Sequence, residues 1–77
     1  MPRTDPPEWV LTRRRAIGEA IRQARRGAGL TQEQVALRIG IERHNLSSIE
    51  MGHVGARLDT LLLIADAIGV PLAELVR

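Results

Sequence analysis

The 77-residue chain has no cysteine, lysine, tyrosine or phenylalanine, and its only tryptophan is Trp9. Without cysteine there is no disulfide, no thiolate metal site and no cysteine nucleophile. Without lysine there is neither a P-loop, whose motif needs one, nor Schiff-base chemistry. Long apolar runs are missing as well. The longest, Leu61 to Ala65, is far too short to span a bilayer, and the Pro-rich start, Met1-Pro2-Arg3-Thr4-Asp5-Pro6-Pro7, lacks the apolar run of a signal peptide. A cytoplasmic protein is the expectation. No stretch alternates apolar and polar residues for long enough to predict a strand.

What is present suits a small globular domain. Hydrophobic residues make up 44% of the chain and charged residues 26%, a balance that argues against disorder. The length allows one domain, and at this size only roughly 60% of the unfolded chain's surface is buried on folding, so a partner subunit or ligand has room to add stability. All eleven basic residues are arginine, and net charge is +2. The sequence pI of about 11.0 therefore overstates how basic the surface is, because almost nothing titrates between neutral pH and the arginines. The charge is uneven. Residues 1–30 carry seven Arg against three acids, and residues 31–77 carry four Arg against six acids. Such asymmetry fits a face turned towards a polyanion, or a solvated charged surface.

Glycine and proline divide the chain into short helical blocks. Ile17, Ala20, Ile21, Ala24 and Ala28 recur at three- and four-residue steps, predicting one apolar stripe on a first helix that Gly27 and Gly29 close. Thr31, with Gln34 three positions on, predicts a capping box, and Leu30 and Val35 stand where a hydrophobic staple would; Val35, Ala36 and Ile39 then face inward up to Gly40. A third helix follows a very short turn, with Glu42 at its N-cap, Leu46 and Ile49 facing inward and Gly52 at its end. The loop His53-Val54-Gly55-Ala56-Arg57 leads to a fourth helix with Leu58, Leu61, Leu62, Ala65 and Ile68 expected on its inner side. Gly69 stops it, and Pro71 suits the first turn of a last short helix holding Leu72, Leu75 and Val76. The fold class is all-α, a compact five-helix bundle. At the start, Asp5 reads as an N-cap followed by first-turn prolines. An N-terminal extension over residues 1–11 is either continuous with the first helix or separated from it by a break near Leu11-Thr12; the phase of Trp9 and Ala16 with Ala20 and Ala24 favours continuity.

Two helices joined by a tight Gly turn make a helix-turn-helix, which sets its second helix in the DNA major groove. The string Leu30-Thr31-Gln32-Glu33-Gln34-Val35-Ala36, then Ile39-Gly40-Ile41, Ile49-Glu50-Met51-Gly52, Leu58-Asp59-Thr60-Leu61-Leu62, Ile64-Ala65 and Ala67-Ile68-Gly69-Val70 resembles the phage-repressor, or xenobiotic-response-element, class of helix-turn-helix regulators. The resemblance covers about residues 17–76 and makes residues 12–77 a DNA-binding domain. It implies that Arg43, His44, Ser47 and Ser48 read bases, that Gln32, Asn45 and Arg57 meet phosphates, and that Arg25 and Glu50 form a structural ion pair. The chemistry agrees. Arginine can grip guanine O6 and N7 with two N–H groups, and a glutamine in the first turn of a helix sits at the positive end of its dipole.

Three departures from the family pattern stand out. Glu42 occupies an N-cap usually held by Ser or Thr, Ala56-Arg57 replaces Pro-Ser, and Leu63 is apolar where the family commonly has a charged residue. Four apolar residues in a row, Leu61 to Ile64, cannot all face one core, so Leu63 needs a cover. Either the segment Trp9-Val10-Leu11 folds over it, or Leu63 joins Leu72, Leu75 and Val76 in a two-fold dimer seam; the dimer is favoured, because a single recognition helix contacts few bases. The resulting expectation is a sequence-specific regulator of double-stranded DNA acting as a homodimer on a near-palindromic operator. A different class stays open: an interaction module, such as an antitoxin or adaptor, with a toxin or co-regulator as protein partner. No enzyme activity, cofactor or metal is expected. Ser47, Ser48, His44, His53 and Asp59 have no spacing that would assemble a nucleophile and its base.

Overall fold

The computed structural model describes residues 5–77. Five helices follow one another: α1 (Glu8–Gly27), α2 (Gln32–Ile39), α3 (Arg43–Glu50), α4 (Leu58–Ile68) and α5 (Leu72–Val76), with no strand among the described residues.

Helix α1 starts at Glu8, later than an N-cap at Asp5 would place it. An N-cap is extended and Asp5 could serve as one, but Pro6, as the residue before Pro7, is pushed out of the helical region and cannot be the first helical residue after it. The N-cap position falls instead to Pro7, whose ψ of 156° is extended and which has no side chain to cap with. From Glu8 the helix runs through Leu11 and Thr12 without a break. It ends in a Schellman turn: Gly29, at φ +73°, donates to the Arg26 carbonyl, and the Leu30 N–H donates to that of Arg25.

The capping box at Thr31 forms as the sequence predicts. The Gln34 N–H donates to Thr31 Oγ1 (3.1 Å), and the Thr31 N–H donates to Gln34 Oε1 (2.8 Å). Gly40, in the left-handed region at φ +80°, turns the chain out of α2, and only residues 40–42 separate α2 from α3. Ile21, Val35, Leu46 and Ile64 are the largest fully buried side chains, so four helices each contribute one residue to the centre of the core. Leu75 of α5 closes it from below.

Two features of the packing depart from the sequence reading. On α4 the inner stripe is Leu61, Ile64, Ala65 and Ile68, whereas Leu58 (62% exposed) and Leu62 (48%) face solvent. Ile64 is fully buried, and residues on a helix are about 100° apart, so placing it inward rotates Leu58 and Leu62 off the core. Leu75, expected in a dimer seam, is only 2% exposed inside its own core and has no surface to offer.

Gly18 decides how closely α1 crosses α3. A Cβ there would lie 2.4 Å from the Glu50 carbonyl oxygen and 2.5 Å from that of Ile49. Only glycine lets these backbones approach so far. Arginines then tie the helices together through carbonyls: Arg14 Nε donates to Gly52 (3.0 Å), Arg13 Nη2 to Val76 (2.8 Å) and Arg38 Nη1 to Ala67 (3.1 Å).

Candidate nucleic-acid interface

Helix α3 is anchored on one side and open on the other. Leu46, Ile49 and Glu50 are buried, while Arg43, His44 and Asn45 are exposed and Ser47 and Ser48 half-buried. Its anchor is a buried ion pair. Arg25 donates from Nε to Glu50 Oε2 (2.7 Å) and from Nη2 to Glu50 Oε1 (3.0 Å), with Arg25 8% and Glu50 4% exposed. Arg25 Nη1 also donates to the Leu30 carbonyl (2.8 Å), and no buried side-chain nitrogen or oxygen among the described residues lacks a partner. A fork-to-fork pair of this kind fixes orientation as well as distance.

From that pair a chain of hydrogen bonds leads to the surface. Gln32 Nε2 donates to Glu50 Oε1 (2.9 Å), and Arg43 Nη1 donates to Gln32 Oε1 (3.4 Å). Gln32, at the first position of α2, is therefore half-buried and held at both ends of its amide. The first residue of α2 and the first residue of α3 meet at one edge of the exposed surface.

The other edge is built differently. His44, Asn45 and Ser48 line a concavity with Arg57 and Thr60, whereas Ser47 shares its own concavity with Gln32, Met51, Arg15 and Arg22. Ser47 and Ser48, adjacent in sequence and both expected to read bases, thus open onto different concavities. Met51, 52% exposed, lies one turn beyond Ser47 in the same concavity, and the sequence reading did not single it out. The four-residue step from Ser47 is the signal that could have found it.

The unusual Glu42 behaves as its chemistry suggests. Its side chain caps nothing, and its carboxylate lies 3.5 Å from Nδ1 of His44. Arg57, at the N-cap position of α4, likewise makes no side-chain cap and is exposed. On α1, the Gln23 amide (2.7 Å) and then the Arg22 guanidinium hold the Glu19 carboxyl below its ordinary value. Arg22 is thus partly neutralised, while Arg26 lines a shallow surface with Gln32 and Arg43.

The sequence profile of the helix-turn-helix family matches residues 21–75, which includes α2, the turn and α3. The chain belongs to the xenobiotic-response-element type of helix-turn-helix transcriptional regulators. It is 41% identical over 63 residues to an uncharacterised HTH-type transcriptional regulator of Sinorhizobium fredii, covering 82% of each chain. Among solved structures, this helix-turn-helix regulator is similar to the restriction-modification controller protein C.AhdI from Aeromonas hydrophila, with a TM-score of 0.81, 28% identity, and 84% and 94% of the two chains covered. It is also similar to the clp gene regulator ClgR from C. glutamicum, with a TM-score of 0.79, 25% identity, and 92% and 86% covered. A hypothetical transcription factor from Neisseria gives a TM-score of 0.79 at 27% identity, with 100% of this chain and 86% of that one covered. Among the described residues of the regulator, no helix is long and apolar enough to cross a membrane.

The regulator also carries an apolar exterior opposite its core stripe. Leu63 is 48% exposed, as is Leu62, and Leu37 on α2 is 82% exposed. The first turn of α1 does not cover Leu63. Trp9 and Val10 instead border a groove whose α4 wall is Leu61.

Proposed function

We propose that the protein binds double-stranded DNA sequence-specifically as a homodimer, with α3 of each copy in the major groove of one half of a near-palindromic operator. The observation that carries this reading is the geometry of α3. One side is locked into the core by Leu46, Ile49 and the Arg25–Glu50 pair, and the opposite side offers Arg43, His44, Ser47 and Ser48 on a rigid support. Pre-organised donors on a helix suit base edges, because a good bidentate contact adds about 1–3 kcal/mol of discrimination. In this reading Gln32, Asn45 and Arg57 contact phosphates, and the Glu42 carboxylate orients the His44 ring.

Leu63, with the half-buried Leu72 and Val76, forms the two-fold seam; Leu75 takes no part. The cytoplasm, where the DNA lies, is the proposed location. Residues 12–77 serve as the DNA-binding domain, with which the first turn of α1 from Glu8 is continuous; residues 1–4 of the expected extension lie outside the described residues.

Selection of bound sites from random duplex DNA tests the reading, since it reports half-site sequence and spacing together. Two related half-sites about one helical turn apart are expected. A log–log plot of affinity against salt should fall by about 0.9 for each phosphate neutralised, and a slope near zero would remove DNA as the partner. The exposed Leu37, Leu58 and Leu62 favour a second reading as a protein-interaction module with a toxin or co-regulator as partner, in which affinity is insensitive to salt.

A further inference from the structure

A groove of about 330 Å³ lies between the N-terminal half of α1 and the loop joining α3 to α4, away from the outward face of α3. Its walls are apolar: Val10 and Ile17 from α1, Ile49, Ala56 and Leu61 from the opposite side, with Trp9 and Val54 at the lip. Trp9 is 70% exposed and Val54 44% exposed, so the apolar surface reaches solvent.

The charge on this groove is of one sign. Arg13 and Arg14 line it and no acidic residue does. Neither arginine makes an ion pair among the described residues. Arg14, which lines the groove, spends Nε on the Gly52 carbonyl and Nη2 on that of His53 (3.5 Å), which leaves Nη1 without a hydrogen-bond partner among the described residues. Gly55 lies beside that nitrogen: a Cβ there would stand 3.6 Å from Arg14 Nη1, an ordinary contact. Arg13 spends only Nη2, on Val76. Uncommitted guanidinium N–H groups beside an apolar trough are complementary to an anion with an apolar tail.

We infer that this groove is a binding site for a small amphipathic monocarboxylate, its chain lying along Val10, Ile17 and Leu61 and its carboxylate meeting Arg13 and Arg14. The volume is at the lower end of the range for small organic ligands, which suits a short aliphatic or single-ring acid better than a helix of another protein. The inference stands apart from the DNA-binding reading, and its test contains no DNA.

Trp9 is the chain's only aromatic residue, so intrinsic fluorescence reports on this groove alone. The full chain is titrated with octanoate, octanol and octyltrimethylammonium. Octanoate should change the Trp9 emission saturably at one molecule per chain, and octanol should bind about tenfold more weakly for want of charge-assisted hydrogen bonds. Arg13→Gln should weaken octanoate by a similar factor. Val54→Asp, a change at an exposed position, should abolish binding while far-UV circular dichroism stays unchanged. Emission that never saturates, equal affinity for octanoate and octyltrimethylammonium, or unaltered octanoate binding by both variants would overturn the inference. So would an emission that shifts with protein concentration alone and ignores octanoate, since a second copy of the chain would then occupy the groove.

Discussion

Gly18→Ala sets two well-known effects against each other. In a solvated helix alanine is better than glycine by about 1 kcal/mol. At this position the new methyl group would meet the Glu50 and Ile49 carbonyl oxygens at 2.4 and 2.5 Å. A carbon rests no closer than about 3.3 Å from a carbonyl oxygen, so α1 and α3 must separate by roughly 0.9 Å. Overpacking of this kind costs about 1–3 kcal/mol. Because Glu50 is one of the residues displaced, its hydrogen bonds to Arg25 weaken as well, and a bond to a charged group is worth about 1.5–3 kcal/mol. Net destabilisation of about 2–4 kcal/mol is expected, out of roughly 4–12 kcal/mol for a domain of this length. In a thermal melt followed by circular dichroism that is a fall of at least roughly 10 °C. Gly27→Ala provides the control. Gly27 is the last residue of the same helix, does not lie at positive φ, and a Cβ there meets nothing within 4 Å, so alanine should stabilise by about 0.5–1 kcal/mol. If Gly18→Ala melts at or above the parent temperature, the close approach of the two backbones is wrong.

Other expectations follow from the same geometry. Glu50→Gln or Arg25→Met should destabilise by about 3–5 kcal/mol by stranding a buried charge, whereas replacing both by apolar residues should recover much of the loss, as a double-mutant cycle in urea would show. Arg43→Ala should lower affinity for the selected operator by about 1–3 kcal/mol and relax one base position; an equal loss on random DNA would make Arg43 a phosphate contact. Leu63→Glu should weaken self-association and operator binding together with the fold intact, which sedimentation and melting would report. An unchanged oligomer would dissolve the proposed seam.

The sequence was most informative where local chemistry is sufficient. Thr31 and Gln34 name their capping box through a three-residue spacing, and the family pattern placed Arg25 opposite Glu50 across 25 positions that no local rule connects. Elsewhere the deciding partner is remote in the chain. Gly18 looks like an ordinary helical glycine until the carbonyls at the end of α3 are put beside it. On α4, five apolar residues at 58, 61, 62, 65 and 68 fit a helical stripe, and only the complete burial of Ile64 selects a different rotation. Leu75 could be read as core or seam, since a short final helix gives too little periodicity to choose. At the N-terminus, by contrast, the restriction on residues preceding proline was available in Pro6-Pro7 and outweighed the capping preference of Asp5.

The hydrogen-bonded chain from Arg25 through Glu50 and Gln32 to Arg43 divides the outward face of α3 into two halves with different freedom to change. A substitution at Gln32 removes a part-buried bond to Glu50 and leaves Arg43 without its partner, so side chains at this edge are constrained by the buried pair as well as by binding. His44, Asn45 and Ser48 have no such link; His44 faces only the exposed Glu42 carboxylate. Altered preference for a DNA site should therefore be reached most readily, by selection or by design, along the His44–Ser48 edge. On the proposed DNA-binding reading, the Arg43 edge would then be the more constant of the two.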